Sequence, residues 1–119
     1  MNSLRYRNRK RKRIDGYTVA CATKQETGLP YDVLVDSLGA DLRWRRRPGI
    51  PRIGVVVKDI VIPVSIADPP VILSGTRFES SEIVLRWVAH FRVPLLEHWN
   101  KELDDLEILT TLARREIQP

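Results

Sequence analysis

The residues in this chain best suited to chemistry are cations, and they come in two runs. Met1 to Arg13, MNSLRYRNRKRKR, carries Arg5, Arg7, Arg9, Lys10, Arg11, Lys12 and Arg13, seven of the chain's 20 Lys and Arg, with no acid among them. Leu42 to Pro48, LRWRRRP, carries Arg43, Arg45, Arg46 and Arg47 around Trp44. A guanidinium pairs with phosphate through parallel N–H groups and an indole stacks on a base, so arginines interleaved with an aromatic suit a surface that holds a nucleic-acid backbone. A run of like charge neutralises phosphates and releases their counterions, which predicts salt-sensitive contact with DNA or RNA and little choice of sequence. Each run also has a plainer reading. The first is then a solvated tail, or an upstream extension without a task. The second is a hairpin loop whose Trp44 covers a sheet edge while its arginines stay in water.

Other constellations lead away from catalysis. His90 and His98 stand eight residues apart with no Cys, Asp or Glu at metal spacing across both. Neither His-Glu-x-x-His nor Cys-x-x-Cys occurs, so the two histidines read as surface or boundary residues. Asp59 falls in a turn and Asp68 at a Pro-bounded strand end, where aspartate serves the backbone. There is no Walker loop, dinucleotide fingerprint or Gly-x-Ser-x-Gly elbow. No residue is assigned a catalytic role, and no metal or cofactor is expected. The single cysteine, Cys21, cannot form an internal disulfide; it fits a reducing compartment and reads as a buried or inert thiol.

The elements that must carry these residues belong to a chain of 119 residues, with 43% hydrophobic and 29% charged content, values ordinary for one soluble domain. At this size roughly two thirds of the unfolded surface can be buried without a staple. No apolar run approaches the roughly 20 residues that cross a bilayer. The stretch after the basic start, IDGYTVACA, is too short and too polar for a signal peptide, so a cytoplasmic protein is expected. The net charge of +5 is uneven: outside residues 1–13 there are 13 basic and 15 acidic residues. Residues 1–15 therefore read as a disordered basic arm, and 16–119 as a single domain.

Within that domain Ile50 to Leu73, IPRIGVVVKDIVIPVSIADPPVIL, is the organising stretch. With Lys58 and Asp59 at the centre of a reversal, Val57 faces Ile60, Val55 faces Ile62 and Ile53 faces Val64. Alternation along a strand then puts all six β-branched side chains on one side. Lys-Asp is a weak two-residue turn sequence, which leaves a wider turn open. Pro63 donates no ladder hydrogen bond, which predicts that its strand lies at an edge or turns that face outward. Upstream, Gly16 to Thr23 and Tyr31 to Val35 read as strands joined by a loop over Lys24 to Pro30. Downstream, Ile83, Trp87, Phe91, Leu95 and Trp99 step by four, with Val84, Val88 and Leu96 beside them, as on the apolar face of a helix. Ser80 or Ser81 can cap it, and Pro94 predicts a kink or a break into two helices. Asp104 with Glu107 has capping-box spacing for a last helix, buried through Leu106, Leu109, Leu112 and Ala113. Strands followed by helices predict an α+β fold: an antiparallel sheet of three to five strands, with two or three C-terminal helices packed on one face. Residues 79–119 hold eight acids and five bases, so that helical layer is a poor phosphate surface.

Three stretches, TGLPYDVLVD (27–36), PRIGVVV…VSIADPPVILSG (51–75) and IVLRWVAHFRVPLLEHWNKELDDLEIL (83–109), resemble a small uncharacterised bacterial family with a Thr-Gly-Leu-Pro strand, a Pro-Arg-Ile hairpin and a terminal Leu-Leu-x-x-Trp helix. The most specific part is Leu95-Leu96-Glu97-His98-Trp99-Asn100. The helix is also similar to the end of a related domain of unknown function bearing a His-Pro-Pro-His-Phe-His box. This chain has Ala67-Asp68-Pro69-Pro70 in the nearest place, so no role of that box is carried over. The resemblance implies the fold and a bacterial, mobile-element setting, and it implies no activity. Both basic runs lie outside it.

Two functions from different classes are therefore expected. One is a nucleic-acid-associated accessory protein of a mobile element, gripping phosphate through the arm and the Arg43–Arg47 run. The other is a non-catalytic protein-interaction module, antitoxin-like or a homodimeric regulator, using an exposed strand near Pro63 or the Trp99 end of the helix. Neither involves a membrane.

Overall fold

A computed structural model describes residues 11–14, 17–35 and 50–113. At its centre β4 (Arg52–Val57) and β5 (Ile60–Ser65) form the expected hairpin, with Val57 opposite Ile60, Val55 opposite Ile62 and Ile53 opposite Val64. The connection is Lys58-Asp59 alone, and Lys58 takes a φ of 57°. Lysine bears the left-handed conformation that glycine or asparagine adopts more easily, so the apolar register prevails over the turn preference.

The sheet is a five-stranded antiparallel meander in the order β1-β2-β3-β4-β5. β1 is Arg11–Ile14, β2 is Tyr17–Ala22 and β3 is Asp32–Leu34. β1 corrects the expected arm: four of its residues belong to the sheet, with Arg11 opposite Ala20 and Ile14 opposite Tyr17. Between the last pair the chain reads Asp15-Gly16, the dipeptide that favours tight hairpins. Like charge repels through side chains, whereas strand pairing is made by the backbone. An edge strand needs a partner on one side only.

The segment expected as a loop over Lys24 to Pro30 contains a single helical turn, α1 (Lys24–Thr27). Thr23 and Glu26 close a capping box: Thr23 Oγ1 accepts from the Glu26 N–H at 3.3 Å, and the Thr23 N–H donates to Glu26 Oε1 at 3.2 Å. Gly28 stops the turn at φ 82°, its N–H donating to the Lys24 carbonyl. The Lys24 N–H donates to Asp32 Oδ1 at 2.9 Å, which pins α1 to the start of β3.

Two cross-strand rows form the core face. Ala20, Val35, Ile53 and Val64 lie in one, and Ala22, Val33, Val55 and Ile62 in the next, all buried. Four of the six hairpin residues are thus interior, each contributing roughly 1.5–3 kcal/mol before entropy is subtracted. Val57 is half-buried and Ile60 is 45% exposed, because the helical layer does not extend over the hairpin tip. The opposite face carries a smaller cluster of Cys21 and Leu34 with Val56 and Val61.

β5 is an edge strand, as Pro63 requires, and the chain doubles back along it. Leu73 N–H donates to the Pro63 carbonyl at 3.0 Å, Ser65 N–H donates to the Val71 carbonyl at 2.8 Å, and Ile72 bridges to Val64.

Three helices follow: α2 (Ser81–His90), α3 (Arg92–Trp99) and α4 (Asp105–Leu112). The break between α2 and α3 falls at Phe91, three residues before Pro94, which then sits in a first turn where its missing N–H is not needed. Ser80 precedes α2 but makes no side-chain cap bond. Asp104 and Glu107 form the expected capping box at 2.8 and 2.9 Å. The buried stripe of α2 runs through Val84, Trp87, Val88 and Phe91, continuing to Leu95, and not through Ile83, which is 45% exposed. On α4 the buried residues are Ile108, Leu109 and Leu112, while Leu106 is 53% exposed. A change of one position turns a side chain about 100° around a helix, enough to exchange core for water.

Candidate functional site

The described residues contain only part of the expected basic surface. Arg5, Arg7, Arg9, Lys10, Arg43, Trp44, Arg45, Arg46 and Arg47 lie outside the described residues. Arg11, Lys12 and Arg13 lie on β1, at the edge of the sheet. The sheet register nevertheless fixes where the two runs are attached. Arg11 pairs with Ala20, and Val35 donates its N–H to the Ala20 carbonyl on the other side of β2 at 3.1 Å. The first run therefore joins the sheet, and the chain toward the second run leaves it, in the same cross-strand row. Two strand spacings separate those points, about 10 Å. The described chain resumes at Ile50, just before β4.

Near that return point Arg52 is buried, 1% exposed. Its guanidinium donates to the Ile50 carbonyl at 2.6 Å and lies 5.4 Å from the centre of the Trp99 ring. Burial lowers the Arg52 pKa from its ordinary value, because desolvation disfavours the charged form. An arginine still keeps its proton at neutral pH. Arg52 thus clamps the start of β4 to the end of α3, and Trp99 is half-buried beneath it.

The histidines have different surroundings. His98 Nε2 meets Asp105 Oδ1 at 2.8 Å, joining α3 to α4 with 9% of the His98 side chain exposed. His90 is exposed and stands edge-on to Phe91, with ring centres 4.8 Å apart. No group of three His, Cys, Asp or Glu able to hold a metal occurs among the described residues.

A cleft of about 320 Å³ lies between the end of α1 and the outer ridge of α2. One wall is Thr27 to Leu29, positioned by the Thr23 capping box and the Gly28 stop. The other is Ile83, Arg86, Trp87, His90 and Phe91. Trp87 and Phe91 tilt against each other at 5.3 Å and form its aromatic floor. The Trp87 Nε1–H is enclosed and meets no acceptor among the described residues. Sequence periodicity missed this cleft by assigning Ile83, Trp87 and Phe91 together to the core. The available signal was Ile83, Arg86 and His90 at spacings of three and four, one ridge of mixed polarity.

These features define an α+β protein with a basic sheet edge and a separate cleft on its helical layer. No protein-family model matches the chain, and neither the curated proteins nor the solved structures hold a match. No helix among the described residues is long and apolar enough to cross a membrane.

Proposed function

We propose that the protein is a nucleic-acid-associated accessory protein that holds the phosphate backbone of DNA or RNA without sequence preference. The cations assigned to the task are Arg5, Arg7, Arg9, Lys10, Arg11, Lys12, Arg13, Arg43, Arg45, Arg46 and Arg47, with Trp44 stacking on a base. The resemblance to small bacterial proteins supports a mobile-element setting for this activity. One observation supports the reading beyond charge counting: Arg11 and Val35 flank Ala20 in a single row, so the first basic run joins the sheet in the row from which the chain leaves toward the second. A continuous polyanion can then engage both at once. The interaction-module alternative gains less support. The edge near Pro63 is occupied by the chain's own residues 71–73, and Trp99 is half-buried.

The test is a mobility-shift titration of duplex DNA, single-stranded DNA and RNA between 50 and 200 mM salt. Eleven cations are assigned. With about half of them on phosphate at once, duplex affinity falls roughly a thousandfold across that range. Two variants complete it: removal of residues 1–10, which leaves β1 in place, and replacement of Arg43, Arg45, Arg46 and Arg47 by glutamine. Each is expected to flatten the salt slope. A wild-type protein not retained at 50 mM salt, or variants with the full slope, would count the proposal out.

A further inference from the structure

We infer that the cleft between α1 and α2 binds a small apolar carboxylate, a site separate from the basic strip. Its size is the first reason. A volume of about 320 Å³ has room for a one- or two-ring acid. That volume is at the lower end of the range for small-molecule sites.

The chemistry of the walls is the second. Leu29, Ile83, Trp87 and Phe91 are apolar, and Ile83 keeps 45% of its surface exposed although it is a large aliphatic residue at the mouth. A hydrophobic ligand body covers that surface and lies against the Trp87 and Phe91 rings. Polarity on the walls is of one kind. Among the described residues Arg86 is the only Lys or Arg lining the cleft, and no Asp or Glu lines it. No ion pair of Arg86 is found among the described residues, and Glu82, one turn before it, lies 3.5 Å from Arg77. His90 stands one helical turn from Arg86 on the same ridge and offers a ring N–H beside it. A carboxylate head is matched by Arg86 through charge-assisted hydrogen bonds, with the His90 ring N–H beside it, while a cationic head meets the like charge of Arg86. Thr27 Oγ1 is already engaged, donating to the Thr23 carbonyl at 3.2 Å and accepting from the Leu29 N–H at 3.1 Å, so it stiffens the wall without competing for the ligand.

The probes are naphthalene-2-carboxylate and its uncharged amide, titrated into the isotopically labelled full chain and followed by NMR at Leu29, Ile83, His90 and Phe91. The carboxylate is expected to shift these resonances saturably and to bind about fivefold more tightly than the amide, near the upper limit for a solvent-exposed ion pair. Arg86→Gln, at an exposed position, is expected to remove that difference while leaving duplex DNA retention unchanged. Ile83→Glu is expected to weaken both probes. Equal binding of the two probes, a preference that survives Arg86→Gln, or no shift at the four residues overturns the assignment.

Discussion

Replacing Val55 by alanine probes the contact between sheet and helices on which the whole fold rests. Val55 is fully buried, opposite Ile62 on β5 and Val33 on β3. Two methyl groups are lost, worth about 0.8 kcal/mol each in transfer, and the cavity left behind adds about 1 kcal/mol. The expected loss is about 2–3 kcal/mol, a large share of the roughly 5–15 kcal/mol of a typical domain. Ile60→Ala is the internal control. It removes more atoms from the same face of the same hairpin, but Ile60 is 45% exposed, so a loss below about 1 kcal/mol is expected. Urea unfolding followed by circular dichroism measures both. At an m value of about 1.5–2 kcal/mol/M, Val55→Ala lowers the midpoint by about 1–2 M with m unchanged, and Ile60→Ala moves it by less than about 0.6 M. Equal losses in the two variants, or a Val55→Ala loss under about 0.5 kcal/mol, would refute a helical layer that covers the β4–β5 base and stops short of its tip.

Further substitutions report on local devices. Asp104→Ala opens the capping box of α4 and is expected to cost about 1 kcal/mol, with faster amide exchange at Glu107 and Ile108 in the first turn. Lys58→Asn places a residue suited to φ 57° in the two-residue turn, and a gain of about 0.5–1 kcal/mol in urea unfolding is expected. Trp87→Phe loses buried area but also removes an enclosed N–H without an acceptor among the described residues. The net loss is expected to stay under about 2 kcal/mol, against about 3–5 kcal/mol for Trp87→Ala. Arg52 contributes no slope to stability near neutral pH. Its lowered pKa means that the unfolded chain holds the proton to higher pH, so stability rises only in the strongly alkaline range between the folded and the unfolded values. A shift of the midpoint between pH 6 and 8 that disappears in Arg52→Met would contradict this.

Much of the architecture is legible in the sequence because it depends on local rules. A strand alternates with a period of two, so six β-branched residues about Lys58-Asp59 determined the β4–β5 register, and the observed pairs match it residue by residue. The Asp104–Glu107 spacing and the missing N–H of Pro94 likewise specified a helix start and a helix break within a few bonds of the residues concerned. Tertiary structure decided matters that depend on distant partners. Ile83 and Val84 both fit an apolar stripe, and only the sheet beneath α2 selects Val84 for the interior. Arg11 joins the sheet because β2 offers its backbone, which no count of charges anticipates. The cleft between Leu29 and Arg86, and the row that sets Arg11 and Val35 on either side of Ala20, unite residues far apart along the chain. Periodicity describes one element at a time, whereas these juxtapositions arise only when elements pack.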